Sequence, residues 1–141
     1  AAIGHGYTYS GHPVGAAAAL ACLAETQRLN VKDNAAARGD ELFAGLKALM
    51  AKHEVIGDVR GSGLAIGAEL VTDRASKAPA RQLADQVVNA MRAKGVLMGA
   101  NGISYNVLKI RPPMAFGLAE ADQVLQTLRD QAAINRLLGD T

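Results

Sequence analysis

Apolar positions recur along the chain in two alternating rhythms. From Pro13 to about Leu29 a one-sided run of alanines predicts a helix that a neighbouring backbone approaches closely, with proline at the first helical position, where its missing N–H is no loss. Asn30 with Asp33 or Asn34 punctuates the chain and predicts a cap. Leu42, Leu46, Leu49 and Met50 then recur at helical spacing to about His53. From Val55 the period shortens: Val55, Ile56 and Val59, then Leu64, Ile66, Ala68 and Leu70, alternate with small or polar residues as strands do. Thr72 to Lys77 is a polar connection, and Pro79 opens a third helix whose inward face is Leu83, Val87, Val88 and Met91, stopped by Gly95. Val96 to Met98 is expected to be a short strand, Asn101-Gly102 a turn, and Ser104 to Ile110 a second strand paired with the first. Pro112-Pro113 ends it. The last helix has Glu120 and Asp122 in its first turn, carries Val124, Leu125 and Leu128 inward, and frays toward Asp140. This order predicts an α+β fold, a small, mostly antiparallel sheet flanked by about four helices.

Composition narrows the functional classes. The chain has 141 residues, is half hydrophobic and carries a formal net charge of +2, so one soluble domain with a single sizeable core is expected. Charges of both signs are interspersed without a like-charge run, which gives no reason to invoke a nucleic-acid or membrane partner. The longest apolar stretch, Val14 to Ala24, is too short to span a bilayer, and a cytoplasmic location is expected. The lone Cys22 falls in the alanine-rich helix, where a buried, inert thiol is expected. The histidines at 5, 12 and 53 have no companions at zinc spacing, so no metal site is expected, and His53 reads as a favourable charge at a helix C-terminus. The Gly61-x-Gly63 pair is followed by a strand rather than a helix, which favours a hairpin or bulge over a dinucleotide site.

Two stretches carry candidate chemistry. Glycines at 4, 6 and 11 relax the backbone around three hydroxyls, Thr8, Tyr9 and Ser10, immediately before a helix N-terminus. That is the chemistry of a phosphate or carboxylate cradle, and equally of a hydroxyl-rich turn that caps a helix. The second is Lys109 and Arg111, two apart on a strand and therefore on one face. An anionic partner would resolve their repulsion; an exposed sheet edge is the alternative.

The run Tyr7-Thr8-Tyr9-Ser10-Gly11-His12-Pro13-Val14, with the alanines behind it, resembles a motif of the class III (fold type I) pyridoxal-phosphate-dependent aminotransferases. Val59 to Leu70 resembles the glycine-rich strands of that family's small domain, and Val107 to Met114 its late strand and double-proline turn. The resemblance implies residues 1–30 as the end of the large cofactor-binding domain with its connecting helix, and residues 31–141 as the C-terminal small domain. It implies pyridoxal 5′-phosphate as cofactor, a homodimer, and amino transfer from an amino acid or amine to a keto acid. By the same resemblance Thr8, with Tyr7 beside it, reaches the cofactor phosphate of the neighbouring subunit, and Arg111 and Lys109 bind substrate. Many members have arginine where Lys109 stands and a small residue where Arg111 stands. A minority branch with lysine at the first position includes phospho-lyases acting on phosphorylated amino alcohols, and this is the alternative activity. The family's cofactor-bearing lysine precedes the threonine motif, and none of Lys32, Lys47, Lys52, Lys77, Lys94 and Lys109 resembles it. The expectation is thus a C-terminal portion without a catalytic lysine of its own and inactive in isolation. A non-catalytic interaction or dimerisation module is the alternative from another class.

Overall fold

A computed structural model describes residue 4 and residues 6–129; His5 and the expected fraying toward Asp140 lie outside them. Four helices and five strands follow in the order α1 (Pro13–Arg28), α2 (Val31–Lys52), β1 (Ile56–Ser62), β2 (Ala65–Asp73), β3 (Ala78–Pro79), α3 (Arg81–Ala93), β4 (Gly99–Asn101), β5 (Val107–Ile110) and α4 (Leu118–Arg129). The sheet runs β1-β2-β5-β4, with β3 against the far end of β2, and every pairing is antiparallel. The expected α+β fold, with its small antiparallel sheet, is what forms.

Alternation decides which face of the sheet is covered. Ile66, Ala68 and Leu70 of β2, Val59 of β1 and Leu108 and Ile110 of β5 are buried against Leu42, Leu46 and Leu49 of α2, Ala84, Val87 and Met91 of α3, and Leu125 and Leu128 of α4. The residues between them, Arg60, Gly67, Glu69, Val107 and Lys109, point to the opposite, uncovered face. Leu83, Val88, Met50 and Val124, expected to point inward, pack only at the rim of this core, and Ala84 takes the central place on α3.

Three boundaries differ from the sequence pattern, each because backbone groups are engaged elsewhere. Val96 to Met98 is not a strand: Gly95 turns into the left-handed region (φ 82°), Gly95 N–H donates to Arg92 O and Val96 N–H to Met91 O, both at 3.0 Å. These two bonds cap α3, and β4 begins only at Gly99. Ser104 to Asn106 likewise belongs to the turn, with Gly102 (φ 87°) and Tyr105 (φ 51°) left-handed, so β5 begins at Val107. Pro79 lies in β3, because Ala80 N–H still donates to Leu70 O at 3.0 Å, and α3 starts at Arg81. The expected asparagine cap of α2 also takes another form. Asn30 stands at the cap position with φ 46°, but its amide side chain donates to Asp33 Oδ2 at 3.0 Å rather than accepting from the helix.

The opening helix departs most. No residue of α1 is buried, so its alanines find no close packing partner among the described residues, and Cys22 is exposed instead of buried. The core is complete without it, assembled from α2, α3, α4 and the sheet.

At the other end of α2, His53 occupies the C-cap, as expected, but is buried. Here Arg74, from the turn after β2, closes the helix: its Nη2 donates to the carbonyls of Met50 (2.8 Å), His53 (3.0 Å) and Ile56 (2.9 Å), and Nη1 lies 3.4 Å from Glu54 Oε1. A guanidinium thus meets carbonyls at and just beyond the helix end, at the negative end of its dipole. Arg74→Ala is expected to lower unfolding free energy by about 2 kcal/mol, since hydrogen bonds with a charged donor are among the stronger ones. Urea denaturation of the variant beside Glu54→Ala measures this; an Arg74→Ala loss no larger than that of Glu54→Ala would assign Arg74 to an ordinary surface ion pair.

Candidate functional site

The expected cradle is a turn standing clear of the core. Ser10 donates twice to Tyr7 O, from its amide at 3.0 Å and its hydroxyl at 2.7 Å, and His12 N–H donates to Tyr9 O at 3.2 Å. Gly11 (φ 78°) reverses the chain into Pro13 at the start of α1. Of the three hydroxyls, Ser10 is therefore occupied in holding the turn. Thr8 is exposed, and neither its hydroxyl nor its amide makes a hydrogen bond among the described residues. An exposed hydroxyl and amide, presented on a tied turn just ahead of a helix N-terminus, are the donors that a phosphate group takes. On this donor set the residues fit the phosphate of pyridoxal 5′-phosphate.

The second pair stands at the end of β5. Ile110 between Lys109 and Arg111 is 5% exposed and anchors the strand, while both cations face outward. Arg111 lies just past the strand, but the residue before a proline is held extended, so Arg111 continues the line of β5 and stays on the Lys109 side. Asn34 of α2 secures the loop that follows, donating through Nδ2 to Met114 O at 3.1 Å and Phe116 O at 2.8 Å.

Two cavities flank this pair. One, of about 440 Å³, lies between the end of α3, β5 and α4 and is bounded by Val96, Met98, Phe116 and Glu120 as well as Lys109 and Arg111. The other, of about 300 Å³, lies over the open sheet face and is bounded by Arg60, Gly67, Asn101 and Val107 with the same two cations. Lys109 is paired across the sheet with Gly67 on one side and Gly99 on the other, so no neighbouring side chain covers it. The structure thus brings Lys109 and Arg111 together, and neither Tyr7 nor Thr8 borders the cavities they share.

Sequence reasoning did not single out Arg60. Its Nη1 donates to Asp58 Oδ2 at 2.8 Å and to Glu69 Oε2 at 2.6 Å. The Arg60 guanidinium holds the Asp58 carboxyl below its usual range, and the hydrogen bonds that Arg60 donates to Asp58 and Glu69 raise it above its own. The alternation that buries Val59 could have shown Arg60 to be outward; what the sequence lacks is the register that sets it opposite Gly67.

None of the six lysines is buried; Lys47 is half-covered, its ammonium 5.4 Å from the Phe43 ring centre, and the others are exposed. Among the described residues no group of three or more His, Cys, Asp or Glu side chains could hold a metal ion, and no helix is long and apolar enough to cross a membrane.

With this geometry in view, comparison with known proteins is direct. The family model for aminotransferase class-III matches residues 1–132. The taurine–pyruvate aminotransferase of Bilophila wadsworthia is 42% identical over 123 residues, covering 84% of this chain and 27% of that protein. A phospholyase from Arthrobacter, solved in complex with phosphoethanolamine, superposes with a TM-score of 0.78 at 34% identity over 82% of this chain and 28% of its own. An amine transaminase from an uncultivated Pseudomonas species, solved in the PLP-bound form, gives 0.80 at 35% identity over 97% and 30%. The α+β fold is thus one shared with part of the fold type I transaminases, and the chain belongs to the class III aminotransferases. It spans about a quarter of the length of the curated relatives it matches.

Proposed function

We propose that the chain works within a pyridoxal-phosphate-dependent aminotransferase that moves an amino group from an amino acid or amine to a keto acid. Residues 1–30 would end the large cofactor-binding domain and residues 31–141 would form the small domain. The observation that carries this reading is the Thr8 turn: in a member of this family, an exposed hydroxyl and amide without partners among the described residues are donors suited to an anion. By the family resemblance, the cofactor phosphate they meet is that of a second subunit in a homodimer, with Tyr7 contributing backbone beside Thr8; the exposure of α1 and this turn leaves both accessible to it. When bound, pyridoxal phosphate supplies the electron sink for amino transfer. This chain's own part is to hold the phosphate through Thr8 and to orient the substrate's acid group through Arg111, assisted by Lys109. With no buried lysine here, the cofactor-bearing lysine belongs to polypeptide beyond these residues, and the 141 residues alone are inactive. A cytoplasmic location completes the proposal.

Cofactor absorbance and amino-donor screening of the intact protein test this reading, and a protein that neither retains pyridoxal phosphate nor transfers an amino group would end it. Thr8→Ala is expected to weaken cofactor affinity about ten- to a hundredfold, since a charge-assisted hydrogen bond contributes about 1.5 to 3 kcal/mol. Unchanged retention would leave Thr8 a turn residue only. The cationic lining around Lys109 favours one alternative, a phospho-lyase acting on a phosphorylated amino alcohol, which is the kind of ligand present in the Arthrobacter structure.

A further inference from the structure

The turn dipeptide Asn101-Gly102 has chemistry of its own, outside the proposed cofactor and substrate contacts. Asn101 is the last residue of β4, and Gly102 opens the turn beyond it with φ 87°. Both are exposed. Gly102 O accepts from Tyr105 N–H at 3.2 Å, but among the described residues the Gly102 N–H joins no turn or cap hydrogen bond and the Asn101 side chain makes none. An unpartnered side-chain amide is thus followed directly by a main-chain nitrogen with no Cβ to shield it.

The other described asparagines are held differently. Asn30 donates to Asp33 Oδ2 at 3.0 Å, Asn34 to two loop carbonyls, Asn89 to Asp85 O at 2.9 Å within α3, and the buried Asn106 to Leu70 O at 2.8 Å. Each is followed by alanine or valine, whose side chain hinders approach to the main-chain nitrogen. Asn101 also sits where the backbone yields most easily. β4 lies at the edge of the sheet, paired with β5 alone, and Asn101 with Val107 is its terminal pair. Opening that pair frees Asn101 to turn its side chain toward Gly102 N, and the end of an edge strand opens at little cost.

We propose that Asn101 is a site of spontaneous covalent modification: deamidation through a cyclic imide, with water as co-reactant. Gly102 N gives up its proton to solvent base and attacks Asn101 Cγ; the new N–Cγ bond replaces the Cγ–Nδ2 bond, and ammonia leaves with a proton taken from water. A second water opens the ring. Attack at Cγ leaves aspartate, whereas attack at the Asn101 main-chain carbonyl leaves isoaspartate, with the chain continuing through the former side chain. In sum an amide and water become an acid and ammonia, and nothing is oxidised or reduced. The register gives the new carboxylate a neighbour, because Asn101 pairs with Val107 and Lys109 follows two residues later on the same face, roughly 7 Å away on the diagonal. A cation there favours both the deprotonated nitrogen and the charge of the product.

Timed incubation of the intact protein at mildly alkaline pH, followed by mass-spectrometric mapping that resolves isoaspartate from aspartate, tests the site. Asn101 is expected to convert to both products while Asn30, Asn34, Asn89 and Asn106 stay intact. Its rate in the folded protein should lie within about tenfold of its rate in urea, which is the small opening cost of a strand end. Lys109→Gln should slow the conversion about threefold, the effect of one charge at that distance in water. Earlier conversion of another described asparagine, or a folded rate more than about tenfold below that in urea, overturns the site. Aspartate without isoaspartate overturns the cyclic route in favour of direct hydrolysis, and a rate indifferent to Lys109→Gln overturns the part given to Lys109.

Discussion

Gly39→Ala is expected to destabilise the protein by about 3 kcal/mol, although the same exchange inside a helix ordinarily stabilises by about 1 kcal/mol. Gly39 lies on the buried side of α2, where the helix crosses the β1–β2 turn. A Cβ there would lie 2.4 Å from Gly63 O, 2.5 Å from Gly63 C and 2.6 Å from Gly63 Cα. All three are backbone atoms of a residue held in the left-handed region at φ 52°, so no rotamer change relieves the clash; either α2 lifts off the sheet or the hairpin opens. Gly45 provides the internal comparison, because the three atoms nearest its added Cβ all belong to the Leu125 side chain, the closest at 2.4 Å. A leucine can turn aside, and Gly45→Ala should lose no more than about 1 kcal/mol. Urea midpoints of the two variants decide the matter. Gly39→Ala as stable as the parent, or less damaging than Gly45→Ala, would show that the close approach of helix and hairpin does not govern stability.

The contrast shows what a single sequence carries and what it does not. The 3.6-residue recurrence of Leu42, Leu46 and Leu49 and the alternation through Ile66, Ala68 and Leu70 report burial directly, so helix, strand and core were legible. Gly39 carries no such mark: in sequence it is a weak helix former, and only the tertiary contact with Gly63 explains it. The same holds for Arg74, whose three carbonyl partners come from 18 to 24 residues away. Boundaries failed where backbone N–H groups were committed locally, as in the cap that consumes Val96, because apolar side chains are indifferent to that choice. The alanines of α1 misled for another reason. They state that the helix suits close packing, not whether its partner lies in this stretch of chain.

The candidate site divides along the same line. Lys109 and Arg111 could be placed on one face from their spacing alone, since the strand period and the following proline are local properties. Their separation by the buried Ile110, and the two cavities beside them, agree with that placement. Arg60 is 49 positions from Lys109, and only the order β1-β2-β5 brings the two to either side of one glycine.

Under the proposed aminotransferase reading, Arg111→Ala in the intact protein is expected to lower kcat/KM for an amino-acid substrate about a hundredfold, while a matched amine without the carboxylate loses less than about threefold. The difference, about thirtyfold, corresponds to about 2 kcal/mol, within the range for hydrogen bonding to charged groups. Arg111 rather than Lys109 is expected to dominate because a planar guanidinium can grip a carboxylate through two parallel hydrogen bonds, whereas an ammonium acts as a point charge. Its backbone is held extended by Pro112 and followed by a loop that Asn34 secures through two carbonyls. Lys109→Ala should accordingly produce the same pattern with a smaller amplitude. Steady-state kinetics on the paired substrates separates the roles: equal losses on both would make Arg111 structural, and a loss confined to elimination from a phosphorylated amino alcohol would move the assignment to the phospho-lyase alternative.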